Sequence, residues 1–102
     1  MKEFTESSFK QDISKGKVIV DFWASWCGPC MMFASIFEAA SKLHTDISFG
    51  KVNVDEHQGV AAQFGVRSIP SILAFKDGEL LKAKAGAMDP QSFEEFIKEA
   101  FV

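Results

Sequence analysis

The sequence has no tyrosine, only two cysteines and three prolines, and no apolar run approaching the ~20 residues of a membrane-spanning helix. Each shortage excludes something. Two cysteines are too few for the disulfide framework of a small secreted protein. Basic residues number 11 against 14 acidic ones, for a net charge of −3. That balance gives no clustered basic face for nucleic acid. The first ten residues, MKEFTESSFK, lack the apolar stretch of a secretory signal, so the expected location is cytoplasmic. No repeat, low-complexity tract or linker interrupts the 102 residues, which predicts one domain over 1–102. What is present is apolar and aromatic. Hydrophobic residues make up 47% of the chain, an ordinary globular level, and eleven phenylalanines are available for the core.

The periodicity alternates between helix and strand. Thr5 can cap a short helix carrying Phe9 and Ile13 and ending near Lys15-Gly16. Residues 17–24, KVIVDFWA, are nearly continuously apolar, as in a strand covered on both faces. From Cys27 to about His44 the spacing of Met32, Ile36, Phe37, Ala40 and Leu43 is helical. Residues 47–54 alternate as a second strand, and 55–64 form a short helix closed by Gly65. Residues 71–75 and 80–85 read as a hairpin around the Asp77-Gly78 turn. Asp89 and Pro90 open a last helix with Phe93, Phe96, Ile97 and Phe101 as its apolar stripe. This order predicts an α/β fold with helices on both faces of a central sheet. Parallel strands lie at one end of the sheet and an antiparallel hairpin at the other.

Both cysteines stand in the stretch VDFWASWCGPCMMF, where strand gives way to helix. Cys27 is thus expected at a helix N-terminus, where unpaired N–H groups and the helix dipole favour thiolate over thiol. Gly28 leaves room for close backbone approach, and Pro29 is tolerated in the first turn. Cys30, three residues on, faces the same side as Cys27 and is the more buried partner. The pair can close a small disulfide. A zinc site built from Cys27, Cys30, His44 and His57 is a weaker reading, because twelve residues separate the histidines where a finger has three to five. A purely structural bridge is also disfavoured, since so short a loop restricts the unfolded chain little. The expected metal content is none.

Asp21 is the acidic residue of the apolar strand that feeds the dithiol. Alternation puts it on one face with Ile19 and Trp23, opposite Val18, Val20 and Phe22. A carboxylate there is costly unless partnered or protonated. It is therefore a candidate general acid/base with a raised pKa, placed to take the proton that Cys30 must lose. Trp26, beside the dithiol, suits a half-buried docking surface. Trp23 is the likelier core residue of the two.

Trp26-Cys27-Gly28-Pro29-Cys30 is similar to the active-site motif of the thioredoxin family. Residues 20–24, 66–70 and 75–78 resemble the family too, at its usual spacing, and the resemblance covers the chain from about Phe4 to Phe101. It implies a five-stranded mixed sheet flanked by four helices. It also implies a monomeric dithiol electron carrier with no bound cofactor, reducing protein disulfides of clients such as reductases and peroxiredoxins. Such a carrier is itself reduced by a thioredoxin reductase using NADPH. The resemblance further implies that Lys51 is a charge partner of Asp21. It makes Pro70 a cis-proline opposite the dithiol, with the Ile69 backbone offered to an extended client peptide. Gly86 and Ala87 are implied as the other wall of that groove. Two positions depart from the family pattern: Met31 replaces a usual lysine, and Ser35 replaces a usual helix-kinking proline. Two rival readings stay open, a redox-silent scaffold of the same fold and an oxidase or isomerase. The intact dithiol argues against the first. Gly28-Pro29 argues against the second, because oxidising relatives usually carry histidine before the second cysteine.

Overall fold

A computed structural model describes residues 2–102, so Met1 of the expected single domain lies outside the described residues. The elements are β1 (Lys2–Glu3), α1 (Phe9–Asp12), β2 (Lys17–Trp23), α2 (Gly28–Leu43), β3 (Ile47–Asn53), α3 (Gln58–Gln63), β4 (Ser71–Lys76), β5 (Glu79–Ala85) and α4 (Pro90–Ala100). The five strands form one sheet in the order β1-β3-β2-β4-β5. β3 runs parallel to β1 and β2, while β4 is antiparallel to β2 and β5. This is the mixed sheet and helix count that the resemblance implies. Periodicity alone missed β1, because two residues carry no period.

β2 is central, and its alternation sorts the core into two layers. Val18, Val20 and Phe22 pack with Phe9, Val52, Val60, Leu73 and Phe75 on the α1/α3 side. Ile19 packs with Phe33, Phe37, Phe49, Ile72, Phe93 and Phe96 on the α2/α4 side. Each layer contains edge-on phenylalanine pairs, Phe33–Phe93 at 5.1 Å and Phe64–Phe75 at 5.4 Å, while Phe37 and Phe96 stack on Phe93. Such pairs add about 0.5–1.5 kcal/mol each beyond their buried area. Gly50, in the middle of β3, is needed because the Phe4 ring fills the space that a Cβ would occupy. That contact fastens β1 to the sheet, together with the Phe4 N–H to Lys51 carbonyl bond of 2.7 Å.

Several local expectations are corrected. Ser8, not Thr5, is the N-cap of α1. Thr5 instead exchanges bonds with Ser8 in the preceding turn, where each backbone N–H donates to the other's hydroxyl. α1 ends at Asp12, short of Lys15-Gly16, and α3 begins only at Gln58. The buried face of α2 is Cys30, Phe33, Phe37 and Ala40, with Ile36 partly buried. Met32 and Leu43 fit the helical period but are each 74% exposed. A 3.6-residue repeat does not say how wide the covered stripe is. The hairpin turn matches its expected chemistry: Asp77 and Gly78 both have positive φ, at 50° and 87°. Asp89 caps α4 by accepting from Ser92 N–H at 2.7 Å, with Pro90 following.

Candidate functional site

The dithiol stands where β2 ends and α2 begins. Cys27 is the N-cap of α2, with extended backbone at φ −91° and ψ 109°. Its sulfur accepts from the Cys30 N–H at 3.2 Å. The two cysteines are joined as a disulfide, with Cα atoms 5.2 Å apart. Both are buried, Cys30 more deeply. They form a small apolar cluster with Ala24, flanked by Trp23, Val54 and Ile69. In the reduced state the same N–H would face a sulfur anion, and the positive end of a 16-residue helix would lie behind it. Pro29 sits in the first turn, where its missing N–H removes nothing. A Cβ at Gly28 would meet only open space. None of the described residues therefore uses the close approach expected there.

Ile69 and Pro70 are brought to the dithiol from the start of β4. The Ile69–Pro70 bond is cis, and the Ile69 carbonyl oxygen lies 3.7 Å from Cys27 Sγ. Gly86 N–H donates to the Pro70 carbonyl at 2.8 Å, so the residues after β5 close on the same segment. Gly86 has φ 100°, a conformation open to glycine and strained for other residues. Ala87 is exposed beside it. Trp26 is 69% exposed. Its Nε1–H donates to Asp55 Oδ2 at 2.8 Å, which fixes the indole next to the cysteines. Asp55 escaped the sequence reading. Its signal was position: it follows β3, which runs parallel to β2, so both carboxyl ends share one edge of the sheet.

Asp21 is fully buried, and neither carboxylate oxygen has a hydrogen-bond partner among the described residues. Burial pushes its pKa up to about 7. Lys51 works against that shift, and Glu3 adds to it. Lys51 is the register partner of Asp21 across β2 and β3. It makes no ion pair with it among the described residues; its ammonium rests 4.3 Å from the centroid of the Trp23 ring. Trp23 is half-buried rather than core, and its Nε1 is buried without a partner among the described residues. The other titratable candidates are spent elsewhere. His44 Nε2 bonds the Glu94 carboxylate at 2.8 Å, and His57 Nδ1 accepts from the Glu6 N–H. Among the described residues no three His, Cys, Asp or Glu side chains gather to hold a metal. No described helix is long and apolar enough to cross a membrane.

The Cys27–Cys30 disulfide stands at a helix start beside the segment that carries the cis Ile69–Pro70 bond, and comparison with known proteins gives the family. The family model described as thioredoxin matches residues 1–99. The chain belongs to the thioredoxin family. It is 41% identical over 96 residues to a thioredoxin of Pseudomonas aeruginosa, covering 91% of this chain and 89% of that one. It is 38% identical over 101 residues to a thioredoxin of Rhodospirillum rubrum, covering 96% and 97%. With a thioredoxin of Bacillus subtilis it shares 39% over 94 residues, covering 91% and 90%. Among solved structures it resembles a chain from work on the thiol resolving mechanism in yeast mitochondrial 1-Cys peroxiredoxin via glutathione/thioredoxin systems. That match has a TM-score of 0.90 and 31% identity over 97% of this chain and 94% of that one. As a family member the chain is a thiol–disulfide oxidoreductase, a protein-disulfide reductase whose redox centre is Cys27 and Cys30.

Proposed function

We propose that the protein is a cytoplasmic, monomeric, single-domain carrier of reducing equivalents, recharged by a thioredoxin reductase that draws on NADPH. The observation that carries the catalytic assignment is the placement of Cys27 Sγ, on the α2 N-terminus and 3.7 Å from the Ile69 carbonyl. Cys27 is the nucleophile. Its thiolate attacks one sulfur of a client disulfide, a Cys27–client bond forms, the client S–S bond breaks, and the departing client sulfur takes up a proton. Cys30 then gives its proton to an Asp21 carboxylate oxygen. The Cys30 thiolate attacks Cys27 Sγ, the Cys27–client bond breaks, and the second client sulfur leaves as thiolate and takes up the proton that Asp21 releases. The chain ends as the disulfide, two electrons poorer, and the client ends as two thiols.

Asp21 suits the base role because it is buried and holds a pKa near 7, close to the pH at which it must both accept and release a proton. Gly28 and Pro29 shape the turn between the thiols. The groove for an extended client peptide runs along Ile69 and Pro70, walled by Trp26 on one side and by Gly86 and Ala87 on the other. Clients with accessible disulfides, such as reductases and peroxiredoxins, fit this chemistry. No bound cofactor enters any step.

The test is insulin reduction, first with dithiothreitol and then with NADPH and a thioredoxin reductase. Turnover should vanish in Cys27→Ser. Cys30→Ser should accumulate mixed disulfides through Cys27, and Asp21→Asn should slow their resolution. Iodoacetamide labelling Cys30 ahead of Cys27 in the reduced protein would reverse the assignment of the two thiols. A Cys27→Ser/Cys30→Ser variant that keeps full function in cells would point to the scaffold reading.

A further inference from the structure

Lys51 stands between two carboxylates in one row of the sheet. Glu3 of β1 is its register partner on one side, and Asp21 of β2 is its partner on the other. Directly paired residues of neighbouring strands project to the same face. The row therefore reads acid, base, acid at steps of about 4.8 Å. It runs from the exposed edge, through a half-buried lysine, to a fully buried aspartate. An open cleft lined by Glu3, Lys51, Ala34 and Ser35 admits solvent to its outer two members. Among the described residues neither carboxylate holds the lysine in an ion pair within 4.0 Å.

We infer that Glu3 is a positioning residue for the proton step at Asp21: its charge, in the same row, offsets that of Lys51 and so favours the protonated carboxyl. This rests on the reading of Asp21 as the base and deepens it. Acting alone, Lys51 would pull the Asp21 pKa down from the level that burial sets. Glu3 opposes this through space. It leaves the ammonium on the Trp23 ring, 4.3 Å from its centroid, and it adds a second negative charge about 10 Å from Asp21. Burial remains the largest cause of the raised pKa, and the influences of Lys51 and Glu3 have the opposite signs that the row requires. The other groups on this side of the sheet do not duplicate the effect. α2 contributes Cys30 and, lining the same cleft as Glu3 and Lys51, Glu38 and Lys42, whose opposite charges pair at 3.6 Å. β4 places the uncharged Ile72 opposite Asp21.

The experiment follows the Asp21 carboxyl titration by ¹³C NMR in the oxidised full chain. Glu3→Gln should lower the midpoint by on the order of half a pH unit at low salt. That shift should shrink as ionic strength rises, because the Debye length falls from about 30 Å at 0.01 M to about 10 Å at 0.1 M. Glu3→Asp, which keeps the charge, should restore most of the midpoint. The pH profile of mixed-disulfide resolution should move by the same amount as the titration. An unmoved midpoint in Glu3→Gln overturns the inference, as does an equal fall in Glu3→Asp. If the midpoint moves and the resolution profile does not, Glu3 controls Asp21 protonation as inferred and it is the base assignment that fails.

Discussion

Replacing Asp21 by asparagine should stabilise the oxidised protein, and the gain should depend on pH in a defined direction. The folded carboxyl titrates at about 7 against an ordinary 3.8. Between those values the native state binds a proton that the unfolded chain has released, so wild-type stability falls as pH rises through that window. Below about pH 4 the carboxyl is protonated in both states and contributes no penalty. At about 1.36 kcal/mol per pH unit, the three-unit rise amounts to about 4 kcal/mol once the pH exceeds 8. Asparagine is nearly isosteric and carries no charge to desolvate. Its amide still finds no partner, because both Asp21 oxygens lack one among the described residues. That cost is present at all pH values and does not alter the slope. The assay is urea denaturation of wild type and Asp21→Asn from pH 4 to pH 9. With a slope of about 1–2 kcal/mol per molar urea, the midpoints should coincide to within that constant offset at pH 4 and separate by about 2–4 M at pH 8. Parallel stability curves across the whole range would refute the reasoning, because they would mean that the carboxyl titrates normally in the folded state.

Three further outcomes are expected. Pro29→His should make the dithiol more oxidising, because an imidazolium beside it stabilises the thiolate; a tenfold change in the glutathione exchange constant corresponds to about 30 mV, and an unchanged constant would remove Pro29 from control of the potential. Met31 is 43% exposed next to Cys30, and Met31→Lys should steepen the salt dependence of reductase turnover over a screening length of about 10 Å at 0.1 M; equal slopes would put residue 31 outside the contact. Gly50→Val should displace the Phe4 ring that fills the Cβ position and cost about 1–3 kcal/mol, measured by thermal unfolding; wild-type stability would show that β1 is not fastened there.

The sequence by itself determined the alternation of elements, because long apolar and helical periods survive without any knowledge of neighbours. It located the hairpin turn at Asp77-Gly78 and the cap at Asp89, since those depend on local backbone chemistry. It also located the redox pair Cys27 and Cys30, because a Cys-x-x-Cys at a strand-to-helix junction defines its own environment. Tertiary structure decided whatever depends on which strands lie side by side. β1 is too short to have a period and exists through Phe4 and Gly50. The width of the α2 stripe, with Phe33 inside and Met32 outside, was set by the sheet beneath it. The Trp26–Asp55 bond spans 29 residues. The row Glu3–Lys51–Asp21 joins three strands that are far apart in the chain, and only their register makes one lysine the shared neighbour of two carboxylates. Electrostatic coupling acts through space over about 5–10 Å, and a linear sequence carries no record of such distances until the chain has folded.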